Sequence, residues 1–181
     1  AIASDLGNRN GCLFPEKIDD LYVRFDRPFG NELLPCYMWC SYSPDLVFWG
    51  KSKPVMYKGK PFRDGFKLGA GAVPIKTDKG WLEIYHTVSE TCNGFIYRLK
   101  ACMLDLNDPS KVIGYTKNFI LWPEHEYEMK GRVANVVFTC NALLDDDGKT
   151  IRIYYGAADT NIGLATGNID EIIAACFADE A

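Results

Sequence analysis

A small set of cationic and polar side chains recurs beside strand-like segments of this chain. An arginine guanidinium presents a planar fork of hydrogen-bond donors that matches phosphate oxygens, and a lysine ammonium adds a compact positive charge. Histidine and tyrosine add donors without a large charge. If the fold brings them together, these side chains form a binding site for an anion: Arg9, Asn10, Arg27, Lys67, His86 and Tyr97.

Each of these residues also has a simpler interpretation. An arginine near the end of a strand is commonly a solvated surface cation, and a single histidine is more often structural than a ligand contact. Lys67 fits a surface loop equally well. An internal repeat favours a shared site, because it places these groups near equivalent ends of equivalent strands.

Paired carboxylates are the alternative source of chemistry, because ordinary glycosidases use two of them. Five acidic residues are candidates: Glu16, Asp26, Glu83, Glu124 and Asp159. The run Asp145–Asp147 is most simply a hairpin turn. Cysteine–histidine catalysis would need a cysteine to face His86, and the chain has no G-x-S-x-G nucleophile motif.

A glycine-rich run, GFKLGAGAVP, extends from Gly65 to Pro74. Glycine-rich loops can hold a phosphate with their backbone N–H groups. This run matches neither the Walker A nor the dinucleotide pattern, and no helix is predicted after it. We therefore interpret its glycines as allowing a close approach of the backbone near the centre of the fold.

Composition excludes several classes of protein. The chain has 181 residues and a formal net charge of -4, which argues against a nucleic-acid partner because phosphate backbones need a basic face. No segment resembles a transmembrane span or a signal peptide, so no membrane partner is expected. With 48% hydrophobic and 13% aromatic residues, the chain can form a packed core.

The cysteines indicate a reducing compartment. Their number is odd, no Cys-x-x-Cys pair occurs, and most lie in apolar runs, so we predict reduced, mostly buried thiols and a cytoplasmic location. A zinc site is disfavoured because only two histidines occur and neither has ligand spacing. The seven cysteines are Cys12, Cys36, Cys40, Cys92, Cys102, Cys140 and Cys176.

Three segments resemble one another, over residues 12–28, 72–88 and 140–159. Each combines a short apolar run, a polar turn and a second strand, which predicts a β-hairpin. A further strand and an Asp- or Asn-containing turn follow each hairpin, in SYSPDLVFWG, LDLNDPSKVIG and ATGNIDEIIA. Four strands repeated at this period describe one blade of a β-propeller. The predicted fold is therefore all-β.

The chain is interpreted as one partial propeller domain over residues 1–181, with repeats near 8–60, 61–125 and 126–167. A terminal helix is predicted at 168–177, capped by Asn168 or Asp170. Propellers close with four to eight blades, so three blades leave open, aggregation-prone edges. We therefore expect the natural protein to continue upstream.

Several blocks of the sequence resemble glycoside hydrolase family 130. They are NRNGCLFPEKI, YVRFDRP, SYSPDL, KLGAGAVPIKTDKGWLEIYH, YRL, LDLNDPSKVIG, NVVF and YYGAADT, in the family's order from about residue 7 to residue 173. The resemblance implies a five-bladed β-propeller, of which this chain would supply about the last three blades.

The resemblance also implies an activity: inverting phosphorolysis of non-reducing-end β-mannosides by inorganic phosphate, giving α-mannose 1-phosphate without a cofactor. It implies phosphate contacts for Arg9, Asn10, Arg27, Lys67, His86 and Tyr97, and a sugar contact for Asp159. The family's general acid, an aspartate, has no counterpart here and is expected upstream. The motifs PEKI and YSPDL resemble those of the family branch that acts on mannooligosaccharides.

Two other functions stay open at this point. The first is a β-mannoside hydrolase on the same fold, which the basic set disfavours because the family's hydrolytic branches lack much of it. The second is a non-catalytic propeller that binds carbohydrate. The linkage, the acceptor and the oligomeric state, a homo-oligomer included, are also open.

Overall fold

The computed structural model describes residues 7–29, 37–56, 65 and 67–178. Within these ranges, antiparallel strands dominate. The strands are β1 (Asn8–Leu13), β2 (Tyr22–Pro28), β3 (Trp39–Ser43), β4 (Gly50–Pro54), β5 (Lys67–Ala70), β6 (Ile75–Thr77), β7 (Gly80–Thr91), β8 (Gly94–Leu104), β9 (Val112–Tyr115), β10 (Val137–Leu144), β11 (Thr150–Ala157) and β12 (Asn161–Asn168). The helices are α1 (Glu126–Met129) and α2 (Ile169–Phe177).

The strands form three antiparallel sheets. The first sheet has the order β1-β2-β3-β4, and the third has the order β10-β11-β12. The second has the order β5-β7-β8-β9, with β6 also pairing with β7. The prediction of an all-β chain built from repeated hairpins is confirmed. The third sheet has three strands, and the chain continues from β12 directly into α2.

The predicted hairpin turns are present, and their backbone explains their residues. In the first hairpin, Asp19 and Asp20 have φ values of 51° and 59°, as a two-residue turn with left-handed geometry requires. Aspartate tolerates this region better than most side chains. In the third hairpin, Asp147 accepts hydrogen bonds from the N–H groups of Lys149 and Thr150, both at 2.8 Å.

Strand β7 is the centre of the packing, because both of its faces are buried. Side chains alternate along a strand, so Trp81 and Tyr85 pack into a cluster shared with the first sheet, while Leu82 and Ile84 pack into a cluster shared with the third sheet. Both clusters exclude water, and burial of this kind is the main stabilising term in folding. Side chains placed on β7 are therefore held rigidly.

One helix was predicted and one was not. The predicted C-terminal helix is confirmed as α2, and the Asn168 side chain accepts hydrogen bonds from the N–H groups of Asp170 at 2.8 Å and Glu171 at 3.4 Å. This satisfies donors that a helix leaves free at its start. Helix α1 is four residues long and was missed, because one turn is too short to show a helical period.

The prediction that most cysteines are buried holds for only part of the set. Cys40, Cys102 and Cys176 are buried and Cys12 is half-buried, but Cys92 and Cys140 are exposed. Cys92 lies in the turn between β7 and β8, and Cys140 lies at an irregularity in the register of β10 with β11. All six are unpaired. Cys36 lies outside the described residues.

The outermost strand of the third sheet presents apolar side chains to solvent. On β12, Ile162 is 81% exposed and Leu164 is 50% exposed. This agrees with the expectation of an exposed apolar edge. Among the described residues, no helix is long and apolar enough to cross a membrane.

Candidate active site

Two predicted arginines lie side by side on the first sheet. Arg9 and Arg27 are opposite each other in the pairing of β1 with β2. Arg9 is exposed, with its guanidinium carbon 5.8 Å from the centre of the Phe29 ring, whereas Arg27 is half-buried. Arg9 and Asn10 both belong to β1. The backbone pairing therefore places the two arginines at the same level of the first sheet.

Arg27 also reaches the second sheet. Its Nη1 lies 3.5 Å from Nε2 of His86. A guanidinium can only donate, so Nε2 must accept and the proton of the neutral imidazole must sit on Nδ1. Burial, with a smaller contribution from the charge of Arg27, lowers the pKa of His86 to about 3. The imidazole is therefore uncharged near neutral pH and serves here as an acceptor for Arg27.

His86 occupies a closed pocket. Its ring is fully buried and lies 4.4 Å, centroid to centroid, from the ring of Phe138 on β10, and 6.3 Å from that of Tyr97. Opposite it on β5 is Gly69, where an added Cβ would lie 2.5 Å from Cε1 of His86. Only glycine fits there, which accounts for one glycine of the run 65–74.

Two features of this pocket were wrong or missing in the sequence interpretation. His86 was expected at the end of its strand, but β7 continues to Thr91. Phe138 was not singled out, although it lies in the NVVF block, because nothing in the sequence shows that β10 meets β7 at this point.

Asn10 faces the same pocket from the first sheet. Its Oδ1 is 3.0 Å from the position of a Cβ on Gly69, beside the imidazole. Asn10 has a φ of 54°, which asparagine adopts more readily than most residues. Its Oδ1 is buried and has no hydrogen-bond partner. A buried acceptor of this kind is unusual in proteins and is typical of sites that receive a ligand.

Lys67 and Tyr97 flank one end of the second sheet. Val88 of β7 is opposite Lys67 on one side and opposite Tyr97 on the other. The ammonium of Lys67 lies 5.1 Å from the centre of the Phe95 ring. Lys67 and Tyr97 are both half-buried. They lie on the β5 and β8 sides of β7, the strand that carries His86.

Asp159 lies apart from this cluster, in the turn between β11 and β12 of the third sheet. It is exposed, and it has a φ of 51° beside Ala158 with a φ of 47°. The N–H of Thr160 donates to the carbonyl of Ala157 at 3.0 Å, which closes a two-residue turn. The six predicted anion-binding residues thus lie on the first two sheets, and the predicted sugar-binding residue lies on the third.

Two of the other candidate carboxylates have side-chain partners. Asp26 forms an ion pair with Arg24 at 3.0 Å and accepts a hydrogen bond from Asn8 at 2.7 Å. Glu16 forms an ion pair with Lys76. Glu124 is exposed. This arrangement gives no support to a paired-carboxylate centre built from Asp26 and Glu16.

Glu83 is the unusual member of that group, because it is fully buried on β7. Its Oε1 accepts a hydrogen bond from the N–H of Gly71 at 3.1 Å, and its Oε2 has no partner. Burial raises the pKa of Glu83 well above its usual range, which favours the protonated carboxyl. It fills the gap between β5 and β6, where the strand pairing with β7 is interrupted.

The described residues contain no group of three or more histidine, cysteine, aspartate or glutamate side chains that could hold a metal ion.

Comparison with known proteins identifies relatives over nearly the whole chain. A family profile described as beta-1,4-mannooligosaccharide phosphorylase matches residues 3–177. The beta-1,4-mannooligosaccharide phosphorylase of Ruminococcus albus is 44% identical over 169 residues, which cover 92% of this chain and 50% of the relative. The chain thus spans about half the length of the curated relatives it matches.

Solved structures of related proteins also match this chain over more than nine-tenths of its length. The beta-1,2-mannobiose phosphorylase of Listeria innocua, solved with beta-1,2-mannobiose, superposes with a TM-score of 0.87 at 36% identity, over 96% of this chain and 48% of that protein. A structure described as a glycoside hydrolase that targets beta-1,2 mannosidic linkages in Candida mannan has a TM-score of 0.73 at 22% identity, over 91% of this chain and 50% of that protein, which shows a shared fold alone.

Proposed function

The chain belongs to glycoside hydrolase family 130, and from that membership we propose that the protein carrying it cleaves non-reducing-end β-mannosides with inorganic phosphate. The products are α-mannose 1-phosphate and a shortened acceptor. The substrate class is a β-mannooligosaccharide, in keeping with the relative from Ruminococcus albus.

The contact between Arg27 and His86, at 3.5 Å, is the observation that carries the proposal. It joins the first and second sheets beside the buried Oδ1 of Asn10, and Arg9 is the backbone partner of Arg27. A neutral imidazole that accepts from Arg27 orients the guanidinium and leaves its full positive charge in place. Such a fixed, oriented cation is what recognition of a phosphate dianion requires.

In the proposed reaction, the pocket holds phosphate on the face of the mannosyl ring opposite the leaving group. A phosphate oxygen attacks C1 while the bond from C1 to the glycosidic oxygen breaks, so the configuration inverts. The leaving oxygen takes a proton from a general acid, an aspartate that we expect outside this chain. Holding two negatively polarised reactants together is the main task, and positive donors perform it.

Each remaining residue then has a defined role. Lys67 and the hydroxyl of Tyr97 complete the phosphate pocket, and Asn10 and Arg9 line it. Asp159 contacts the mannosyl hydroxyls from the third sheet. His86 contributes to phosphate binding by orienting Arg27. It does not change protonation during turnover, because its pKa lies far below neutral pH.

The proposal includes an architecture. The three sheets are three successive blades of a five-bladed β-propeller, forming one partial domain over residues 1–181 with repeats near 8–60, 61–125 and 126–167. The strand order of the first sheet, which follows the chain from β1 to β4, supports blades of the usual kind. A cytoplasmic location stays a prediction from the cysteines, and assembly into a homo-oligomer stays open.

The test is to incubate the intact protein with β-1,4- and β-1,2-mannooligosaccharides, with and without phosphate, and to follow α-mannose 1-phosphate and free mannose. Phosphate-dependent formation of the sugar phosphate is expected. Release of free mannose at the same rate without phosphate would indicate the hydrolase instead. Binding without turnover would indicate the non-catalytic propeller. The preferred substrate of the two identifies the linkage.

A further inference from the structure

The segment between β9 and β10 contains a buried carboxylate that the proposed reaction does not use. Glu128 is 1% exposed. Its Oε2 accepts hydrogen bonds from the N–H groups of Glu124 at 2.8 Å and His125 at 2.9 Å. Its Oε1 accepts from the hydroxyl of Tyr155 at 2.7 Å. These bonds lower the pKa of Glu128 against the opposing effect of burial, so the group is an ionised anchor.

The backbone that follows this anchor leads to the predicted phosphate pocket. The carbonyl of Glu128 accepts a hydrogen bond from the N–H of Val136 at 3.1 Å. The carbonyl of Asn135 in turn accepts from the N–H of Tyr97 at 3.0 Å. The stretch 128–136, here called the bridge, therefore fixes the backbone of Tyr97 from outside the second sheet.

The bridge also forms hydrogen bonds with the turn that carries Asp159. The N–H of Ala158 donates to the carbonyl of Val136 at 3.0 Å, and the carbonyl of Ala158 accepts from the N–H of Val133 at 3.2 Å. The hydroxyl of Thr160 accepts from the N–H of Arg132 at 3.0 Å. The bridge thus contacts the residues on both sides of Asp159 as well as Tyr97.

Three of the eight non-glycine residues with positive φ in the described part of the chain lie where the bridge meets the turn. Asn135, Ala158 and Asp159 have φ values of 59°, 47° and 51°. The left-handed region is unfavourable for residues other than glycine, and such residues persist where the surroundings hold them. Gly131 shows how close the contact is, since an added Cβ would lie 2.4 Å from the carbonyl oxygen of Ala158. Strain held by surrounding hydrogen bonds is typical of functional positions.

We propose that Glu128 is a positioning residue which, through the bridge, sets the placement of Tyr97 relative to Asp159 and so couples phosphate binding to mannoside binding. The inference rests on the proposed function, because it takes Tyr97 as a phosphate contact and Asp159 as a sugar contact. Two ligands that react with each other must be held within a fraction of an ångström, and one rigid segment touching both subsites achieves this. Because coupling is reciprocal, each ligand strengthens the binding of the other.

The test compares two glutamine variants of the intact protein. Glu128→Gln removes the negative charge and replaces one accepting oxygen with an NH2 group that can only donate. Either the two backbone N–H groups lose their acceptor, or the Tyr155 hydroxyl must reverse and accept, so the charge-assisted bonds of the anchor are lost. The matched control is Glu126→Gln, two residues away, where the carboxylate is exposed and forms an ion pair with Lys130 at 2.8 Å. In Glu128→Gln we expect KM for phosphate and KM for mannoside to rise together, by about five- to tenfold, with the mutual enhancement of binding lost. The control should match the wild type.

Hydrogen exchange gives a readout that does not depend on turnover. In Glu128→Gln the amides of Tyr97 and Ala158 should both exchange faster, because both bond to the bridge. Gly131→Ala serves as a second variant that displaces the bridge without altering the anchor, and it should reproduce the paired effect. If Glu128→Gln and Gly131→Ala only lower the melting temperature, while both KM values and both exchange rates stay at wild-type values, the inference is overturned. Wild-type protein without phosphate-dependent turnover would instead count against the proposed function.

Discussion

Strand β7 carries a buried imidazole, His86, and a buried carboxyl, Glu83, on opposite faces, and burial favours the neutral form of both. Burial lowers the pKa of His86 to about 3 and raises the pKa of Glu83 well above its usual range. The shifts run in opposite directions because burial disfavours the charged form, which is the protonated imidazole in one case and the ionised carboxylate in the other.

The two faces differ in the groups that contact His86 and Glu83. His86 meets a guanidinium from another sheet, at a point where a buried acceptor of Asn10 also lies. Glu83 meets a backbone N–H of Gly71, in a region whose other ionisable neighbours are the thiols of Cys12 and Cys102. A perturbed pKa therefore does not by itself mark a functional site. The cation from a distant strand is what distinguishes the His86 face, because Arg27 reaches the imidazole from the first sheet.

The largest effect is expected on the His86 face, from Arg27→Lys in the intact protein. The lysine keeps the charge but loses the fork that can hold two phosphate oxygens and reach His86. Each charge-assisted hydrogen bond removed costs on the order of 1.5–3 kcal/mol, so kcat/KM for phosphate should fall by roughly 10- to 150-fold. Arg152→Lys, at an exposed ion pair with Asp145, is the matched control. Unchanged kinetics in Arg27→Lys would remove Arg27 from the site.

The next test uses pH to separate the two faces. The folded pKa of His86 is depressed to about 3, so its contribution to stability is complete above an unfolded pKa of 6.5 and is lost as the pH falls toward 3. The loss attributable to this group approaches about 1.4 kcal/mol per pH unit within that window. The free energies of unfolding of the wild type and His86→Phe, measured by denaturant titration at a series of pH values, should diverge with this slope. Parallel curves between pH 6.5 and pH 4 would show that the imidazole is not buried as described.

For Glu83→Gln, the pH dependence of the difference in stability from the wild type should have the opposite sign. The folded pKa of Glu83 is raised, so its stabilising contribution is complete below an unfolded pKa of 4.5 and is lost as the pH increases. Glutamine keeps the acceptor for the Gly71 N–H and does not ionise. Above pH 4.5, the free energy of unfolding of the variant should therefore increase relative to that of the wild type, by up to about 1.4 kcal/mol per pH unit. Phosphorolysis should be unchanged. A loss of activity with unaltered stability would place Glu83 in the reaction and break the comparison.

The smallest effect is expected for Tyr97→Phe. The ring keeps its place near His86, and only a neutral hydroxyl donor is lost. A neutral hydrogen bond contributes roughly 0.5–1.5 kcal/mol, so KM for phosphate should rise by about two- to twelvefold with little change in stability. A loss above about a hundredfold would mean that Tyr97 does more than donate one hydrogen bond, and no change would mean that its hydroxyl does not reach the ligand.

Much of the fold could be predicted from the sequence because its signals are local. Asp19 and Asp20 specify a left-handed turn, and Asn168 caps α2 within four residues of chain. The repeat of hairpins and the residue types of the candidate site could be read directly for the same reason. Helix α1 could not, because its one turn is built around Glu128, whose acceptors are satisfied partly by Tyr155, 27 residues away.

The sequence by itself determined which side chains are available: arginines, a lysine, a histidine and a tyrosine near the strands of a repeated β unit, in the order of a known family. Only the tertiary structure decided what they do to one another. Arg27 and His86 are 59 residues apart, and their contact depends on how two sheets pack. Packing also buries His86 against Phe138 and joins Tyr97 to the Asp159 turn through the bridge. Protonation and geometry follow from the dielectric surroundings and close contacts of the folded chain, and neither exists until distant strands meet.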